Sequence, residues 1–365
     1  MRLDFFPSRT LTLYLAKMFV LRIFAVLVML VLVLMMLDLL SRTGEILTPE
    51  GNGQAEIWRY VTLRVPQLIS RFLPYSVLLA TLITLVTLNQ NSEVVAMKAA
   101  GLSAHQVLFP LLLTAAVISV ISFAFNERIV ARANSTLKAW EAVDYGQIPL
   151  ESGVRANVYL TDGDNILTAS SLVGSGENIA LDDVTWYRRA SGGLILERVK
   201  ATEATYANPG WRLANPVRFD VGEAKLEELD TLVVGQSLTP ERIDVQSVDP
   251  DGQNFLELRE TIQAFEALGR RTSELEAKWW HRLAGPLSAL LMPLLGSVAA
   301  FGLARSGQLF VRAIIGMGLG FAYFVVDNAA LAMGSFGGYP PLLAAWAPFL
   351  LFLLVGETVL IRTEE

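Results

Sequence analysis

Six stretches of this chain are apolar enough to cross a bilayer, which removes most soluble architectures from consideration. A spanning helix needs about 20 mostly apolar residues, because hydrocarbon offers its backbone no partner outside the segment. The stretches are 18–40, 72–88 with an extension back to 68, 107–125, 283–304, 313–333 and 342–361. The fourth carries no charge at all. Three precede and three follow a long polar region. Composition agrees, with 18% charged residues against about 25% in an average soluble chain.

The same composition excludes several chemistries. With no cysteine, disulfides, iron–sulfur clusters and thiol catalysis are ruled out. A net charge of −6 argues against a generic nucleic-acid partner. No lysine follows a glycine, so no phosphate-binding loop ending in Gly-Lys-Ser/Thr exists and any ATP must be hydrolysed by a partner. The two histidines, His105 and His281, head the third and fourth spans, which the topology puts on opposite faces; they share no metal, and each reads as an interfacial residue. Asp249-x-Asp251-Gly252 brings its glycine too early for a calcium loop and reads as a turn. No catalytic group and no cofactor are expected. The first apolar run is too long for a cleavable signal peptide, and no small-residue cleavage pattern follows it.

Between the second and third spans lies the most informative segment. Asn89-Gln90-Asn91-Ser92 ends the apolar run, and a short helix follows, carrying Glu93 and Lys98 and terminated by Gly101. Val94, Val95, Met97 and Leu102 are expected to form one apolar side. A short helix lying across the ends of two spans is a mechanical device: whatever pushes it moves both.

Around this segment the chain reads as follows. Residues 41–67 form a loop with Gly44, Pro49, Gly51 and Gly53, then a short helix from Ala55 that Pro66 interrupts; Pro74 kinks the second span. Asn126 to Trp140 stays helical. From Val154 the pattern turns to short strands. A hairpin turns at Asp162-Gly163-Asp164-Asn165, another at Gly192-Gly193, and a further strand starts at Trp211. A linker from Pro240 to Gly252 leads to an amphipathic helix bearing Phe255, Leu258, Ile262, Phe265 and Leu268, ended by Gly269. Ser273 with Glu276 reads as a capping box, and Trp279-Trp280 suits the aromatic belt of a membrane. Arg2, Arg9 and Lys17 favour a cytoplasmic N-terminus, with Lys98, Arg305, Arg312 and Arg362 on that side; Arg42, Arg59, Arg64 and Arg71 run against the rule.

Ionisable groups within spans are costly and mark candidate sites. Asp38 sits four residues before Arg42, a helical pair spacing, and either caps the helix end as an ion pair or lines a cavity rim. Asp327, beside Asn328, lies near the outer end of the fifth span, and Glu357 near the cytoplasmic end of the sixth. Gly316, Gly318 and Gly320 thin one stretch for close helix contact, either as static packing or as a movable seam.

Taken together, these residues resemble the LptF/LptG permease family of lipopolysaccharide export, nearer its LptG branch than its LptF branch. The resemblance is carried by Leu73-Pro74 through the Ser92-Glu93-x-x-x-Met97-x-Ala99-x-Gly101 core. It continues through Gly285-Pro286-Leu287-Ser288, Phe301-Gly302, Arg305-Ser306, Phe324-Val325-Val326-Asp327 and Gly338-x-Pro340-Pro341. It implies an α-helical inner-membrane protein with six transmembrane helices and an inserted periplasmic all-β, jelly-roll-like domain, divided at 1–127, 128–254 and 255–365. It also implies a heterodimer with an LptF-like permease, two LptB-like ATPase subunits, and LptC-like and LptA-like bridge proteins joined by the β domain. Lipopolysaccharide is the implied cargo. Glu93, Met97, Lys98 and Gly101 would couple to the ATPase. Asp38, Arg42, Arg312, Gly316, Gly320 and Asp327 would lie at the cavity and lateral gates of spans one and five. One departure is that Met35 and Ser41 stand where two lysines of the LptG first span are expected, leaving Arg42. Two rival readings are a membrane enzyme acting on lipid head groups and a scaffold that only anchors the β domain.

Overall fold

The computed structural model describes residues 8–49, 51–146, 155–173, 179–190, 194–223, 225–238, 249–267, 270–301 and 309–364. The chain forms two compact units, one of Met1–Asp38, Val65–Val130 and Asn254–Glu365, the other of Leu39–Arg64 and Ala131–Gln253. The helices in chain order are α1 (Arg9–Leu47), α2 (Gln54–Gln90), α3 (Glu93–Ala99), α4 (Ala104–Phe125), α5 (Ala131–Ala142), α6 (Phe255–Ala267), α7 (Ser273–Phe301), α8 (Leu309–Ser335) and α9 (Pro341–Glu364). Among the described residues, five helices are long and apolar enough to cross a membrane: Arg9–Leu47, Gln54–Gln90, Ala104–Ala142, Ala313–Ser335 and Pro341–Arg362. The remaining apolar stretch, 283–304, lies on α7 as far as Phe301, and residues 302–308, with Arg305, are outside the described residues.

The core of the first unit is built on α2. Val77, Leu78, Leu82, Leu85 and Leu88 are all buried, at the three- and four-residue spacings of a helix face. Two of the intervening hydroxyls bond back to the helix: Ser76 Oγ donates to the Phe72 carbonyl at 2.9 Å and Thr81 Oγ1 to that of Val77 at 2.7 Å. Two glycines let neighbours come close. A methyl group on Gly296 of α7 would lie 2.6 Å from Thr81 Cγ2, and one on Gly320 of α8 would lie 2.3 Å from Leu78 Cδ2. Tyr75 of α2 stacks on Phe324 of α8 with ring centroids 3.9 Å apart.

Several sequence expectations need correction here. The first helix does not give way to a loop at 41 but continues to Leu47, through Gly44. Pro66 does not interrupt a helix, because α2 runs unbroken from Gln54 to Gln90 with both Pro66 and Pro74 inside it. A proline removes one backbone donor and crowds the preceding turn, which a helix otherwise held by its neighbours tolerates. The start of α7 is marked by Thr272, whose hydroxyl bonds the Glu276 carboxylate, so the polar contact belongs one residue before the expected Ser273. The helix from Phe255 ends at Ala267, and Leu268 and Gly269 lie outside the described residues.

In the second unit, eight antiparallel strands form one hydrogen-bonded sheet: β1 (Arg155–Asp162), β2 (Asn165–Val173), β3 (Ala180–Arg189), β4 (Ile195–Tyr206), β5 (Trp211–Ala214), β6 (Val217–Asp220), β7 (Lys225–Glu228) and β8 (Thr231–Val234). The order runs β1-β2-β3-β4-β5-β8, while β6 pairs with β4 and β7. The first hairpin closes with Asp162 opposite Asn165, around Gly163 and Asp164. Residues 191–193 of the second turn are outside the described residues. Besides pairing with β3, strand β4 is long enough to serve two further partners, pairing Glu197–Lys200 with β6 and Glu203–Tyr206 with β5. Leu167, Ala169 and Ser171 alternate inward on β2, and Leu181, Val184, Trp186, Val199 and Trp211 complete the apolar layer. Trp211 Nε1 donates to the Leu238 carbonyl at 2.9 Å. Asp249 and Asp251 pair with Lys138 Nζ at 2.9 and 3.6 Å, which gives both carboxylates a structural role.

Candidate functional site

The segment joining α2 to α4 is a two-residue elbow, a two-turn helix and a capped exit. Ser92 adopts a left-handed conformation, φ 58°, that breaks α2 from α3 and leaves its own side chain out of capping. At the other end the Leu102 amide donates to the Met97 carbonyl at 3.1 Å and the Gly101 amide to that of Lys98 at 2.9 Å. This is a Schellman stop, which needs a residue with positive φ; Gly101, at φ 88°, supplies it without a side-chain penalty. Met97 and Leu102 both join the hydrophobic core, the contact that accompanies such a stop. Ser103 then caps α4: its hydroxyl accepts from the Gln106 amide at 3.2 Å, and its own amide donates to the Gln106 side chain at 3.0 Å. The Ser-x-x-Gln spacing carries that signal, and the sequence reading passed over it.

The inner face of α3 is narrower than expected. Val94 (5% exposed) and Met97 (9%) are buried, whereas Val95 is 54% exposed and belongs to the outer face with Lys98. Helix geometry gives the reason, since positions 94 and 97 lie only about 60° apart around the axis, whereas position 95 is about 100° from 94 and about 160° from 97. Glu93 heads the helix, where its charge suits the N-terminal dipole. Its carboxylate accepts from Tyr14 Oη at 3.2 Å and from Asn91 Nδ2 at 3.3 Å.

The other candidate residues are dispersed. On α1, Asp38 is half-buried and Met35 is buried, while Arg42 is exposed and pairs with Glu45 at 2.7 Å. Arg312 lies on α8, with its side chain outside the described atoms. Gly316 and Gly320 face inward and Gly320 meets Leu78, while Gly318 opens to empty space. Asp327 is only 7% exposed and is joined by His281 of α7, Nε2 to Oδ2 3.0 Å. Gly285, one turn along α7, leaves room for that imidazole, whose Cε1 would be 3.3 Å from an added methyl group.

Each histidine thus has a carboxylate, a feature the sequence reading missed. His105 of α4 faces Glu357 of α9 at 3.3 Å, across 252 positions. A third, half-buried pair joins Arg282 Nη1 to Glu127 Oε1 at 2.9 Å, while His105 and Glu357 are partly exposed. Glu127 stands in a π-helical turn, Asn126–Val130, and its second oxygen accepts from the Phe255 amide at the start of α6. Phe255 stacks on Trp279, 4.6 Å between centroids, and its carbonyl accepts from Trp279 Nε1 at 3.1 Å. Trp279 therefore has a specific packing role beyond a membrane-surface preference. Among the described residues, no group of three or more His, Asp or Glu side chains could hold a metal ion.

Comparison with known proteins converges on one group. The lipopolysaccharide export system permease protein LptG of Escherichia coli is 26% identical over 312 residues, covering 83% of this chain and 84% of that protein, and a second Escherichia coli strain gives the same values. LptG of Haemophilus influenzae is 24% identical over 324 residues, covering 86% of this chain and 89% of that protein. The family model described as lipopolysaccharide export system permease LptF/LptG matches residues 13–362, and the chain belongs to that family.

Proposed function

We propose that this chain is the LptG-type permease subunit of a transporter that extracts lipopolysaccharide from the inner membrane, with a separate ATPase as motor. The relatives named above are LptG proteins, and nothing favours the LptF alternative. In this reading the chain has six spans, with both termini cytoplasmic and a periplasmic, jelly-roll-like β domain. An LptF-like permease completes the heterodimer, two LptB-like subunits bind α3, and LptC-like and LptA-like proteins continue the path from the β domain. The chain itself is not an enzyme.

The observation that carries the motor connection is the construction of α3. Its inner residues, Val94 and Met97, sit in the same core as α2 and α4, while Glu93, Val95 and Lys98 remain accessible to a partner. A rigid element anchored on one side and open on the other transmits displacement rather than absorbing it. Asp38, Arg42, Arg312 and Asp327 are assigned to the gates of the first and fifth spans, with an apolar cavity for acyl chains and a basic rim for phosphates.

Glu93→Ala tests the assignment. Docking of the ATPase should weaken about tenfold, the scale of one lost charged contact, and export should fail with the unfolding temperature unchanged. Wild-type complex yield and export in that variant would remove α3 from the coupling path.

A further inference from the structure

Glu93 is gripped from a direction that its place in the elbow does not require. Tyr14 Oη, on α1, donates to Oε2 at 3.2 Å and lies 3.4 Å from Oε1, across 79 positions of sequence. Arg22, about two turns further along α1, lies within electrostatic reach of both Tyr14 and Glu93. Its Nη1 is buried and has no hydrogen-bond partner. A carboxylate held by neutral donors thus lies in the field of a guanidinium whose Nη1 has nothing to bond, which makes that nitrogen the candidate second seat. Contact with α1 matters because that helix carries the longest row of exposed apolar side chains in the unit, Leu21, Phe24, Met29, Leu32 and Met36 among them.

We propose that Tyr14 is a positioning residue that ties α3 to α1, and that Glu93 exchanges the Tyr14 hydroxyl for the Arg22 guanidinium when α3 is displaced. The inference rests on the coupling role proposed for α3. A motor engaging Glu93 then acts on the first span directly, in addition to α2 and α4. The exchange makes and breaks only hydrogen bonds.

Tyr14→Phe removes the hydroxyl and keeps the ring. In the full complex reconstituted into proteoliposomes, ATPase content should match the wild type. Lipid released per ATP should fall about threefold to tenfold, as expected for one partly exposed hydrogen bond to a charge. The chain has no cysteine, so a spin label on Ala99→Cys reports α3 alone, and its mobility should rise in Tyr14→Phe without any ATPase present. Unchanged label mobility and wild-type lipid release in Tyr14→Phe, alongside a defective Glu93→Ala, would overturn the tie and leave the coupling role standing. A Glu93→Ala complex that exports normally would overturn both.

Discussion

Helices α1 and α2 are of similar length and lie on the same side of the sheet region in sequence, yet they are built for opposite purposes. On α2 the stripe from Val77 to Leu88 is enclosed, with Leu78 against Gly320 and Thr81 against Gly296. Along α1 only Leu15, Phe19, Ile23, Val31, Met35 and Ile46 are buried, and large apolar side chains face outward for most of its length. Hydrocarbon tails solvate leucine as well as protein does, so an uncovered apolar helix in a membrane is free to exchange neighbours. A helix threaded by glycine contacts is not. The difference separates a helix whose neighbours can change from one that its neighbours hold in place.

That contrast can be broken most sharply at Leu78. Leu78→Ala should cost about 3 kcal/mol by opening a cavity against α8, read as thermal unfolding in detergent; a loss under about 1 kcal/mol would mean that α2 is no more anchored than α1. On α1, Leu32→Ala (Leu32 is 59% exposed) should change the stability of the isolated chain by at most about 0.5 kcal/mol while lowering the yield of the proposed heterodimer, measured by co-purification. The smallest effect belongs to the sheet and serves as a reference outside both helices. Lys200 Nζ lies 3.0 Å from Asp183 Oδ1 and, with the Ser170 hydroxyl, holds that carboxyl below its ordinary value. A depressed carboxylate stabilises the fold above its unfolded value, near pH 4, and the contribution disappears as pH falls through the folded value. Because the pair is exposed, Asp183→Asn should remove only a few tenths of a kcal/mol of this acid-side dependence, seen by comparing unfolding at pH 6 and pH 3.

Local chemistry was legible in the sequence and distant chemistry was not. The elbow at Asn89–Ser92, the stop at Gly101 and the turn at Gly163 follow from residues within a few positions of one another. The continuity of α2 through Pro66 could not be read that way, because a proline signals a break by its own covalent structure. The same holds for His105 with Glu357, His281 with Asp327 and Tyr14 with Glu93, each separated by dozens to hundreds of residues. Val95 shows a finer failure: hydrophobicity alone put it inside, and only the rotation of a seven-residue helix puts it out. Strands β6, β7 and β8 are four residues each, too short for alternation to announce them.

The wide turn at Asn126–Val130 has a consequence for how tolerant this region is to indels. Relative to an ordinary α-turn it accommodates one surplus residue, and that surplus aims Glu127 at both the Phe255 amide and Arg282. Excising a single amino acid there would restore regular winding and swing the carboxylate roughly 100° around the axis. Arg282 would lose this carboxylate and the first turn of α6 its acceptor, so one deletion would undo both junctions that run through Glu127.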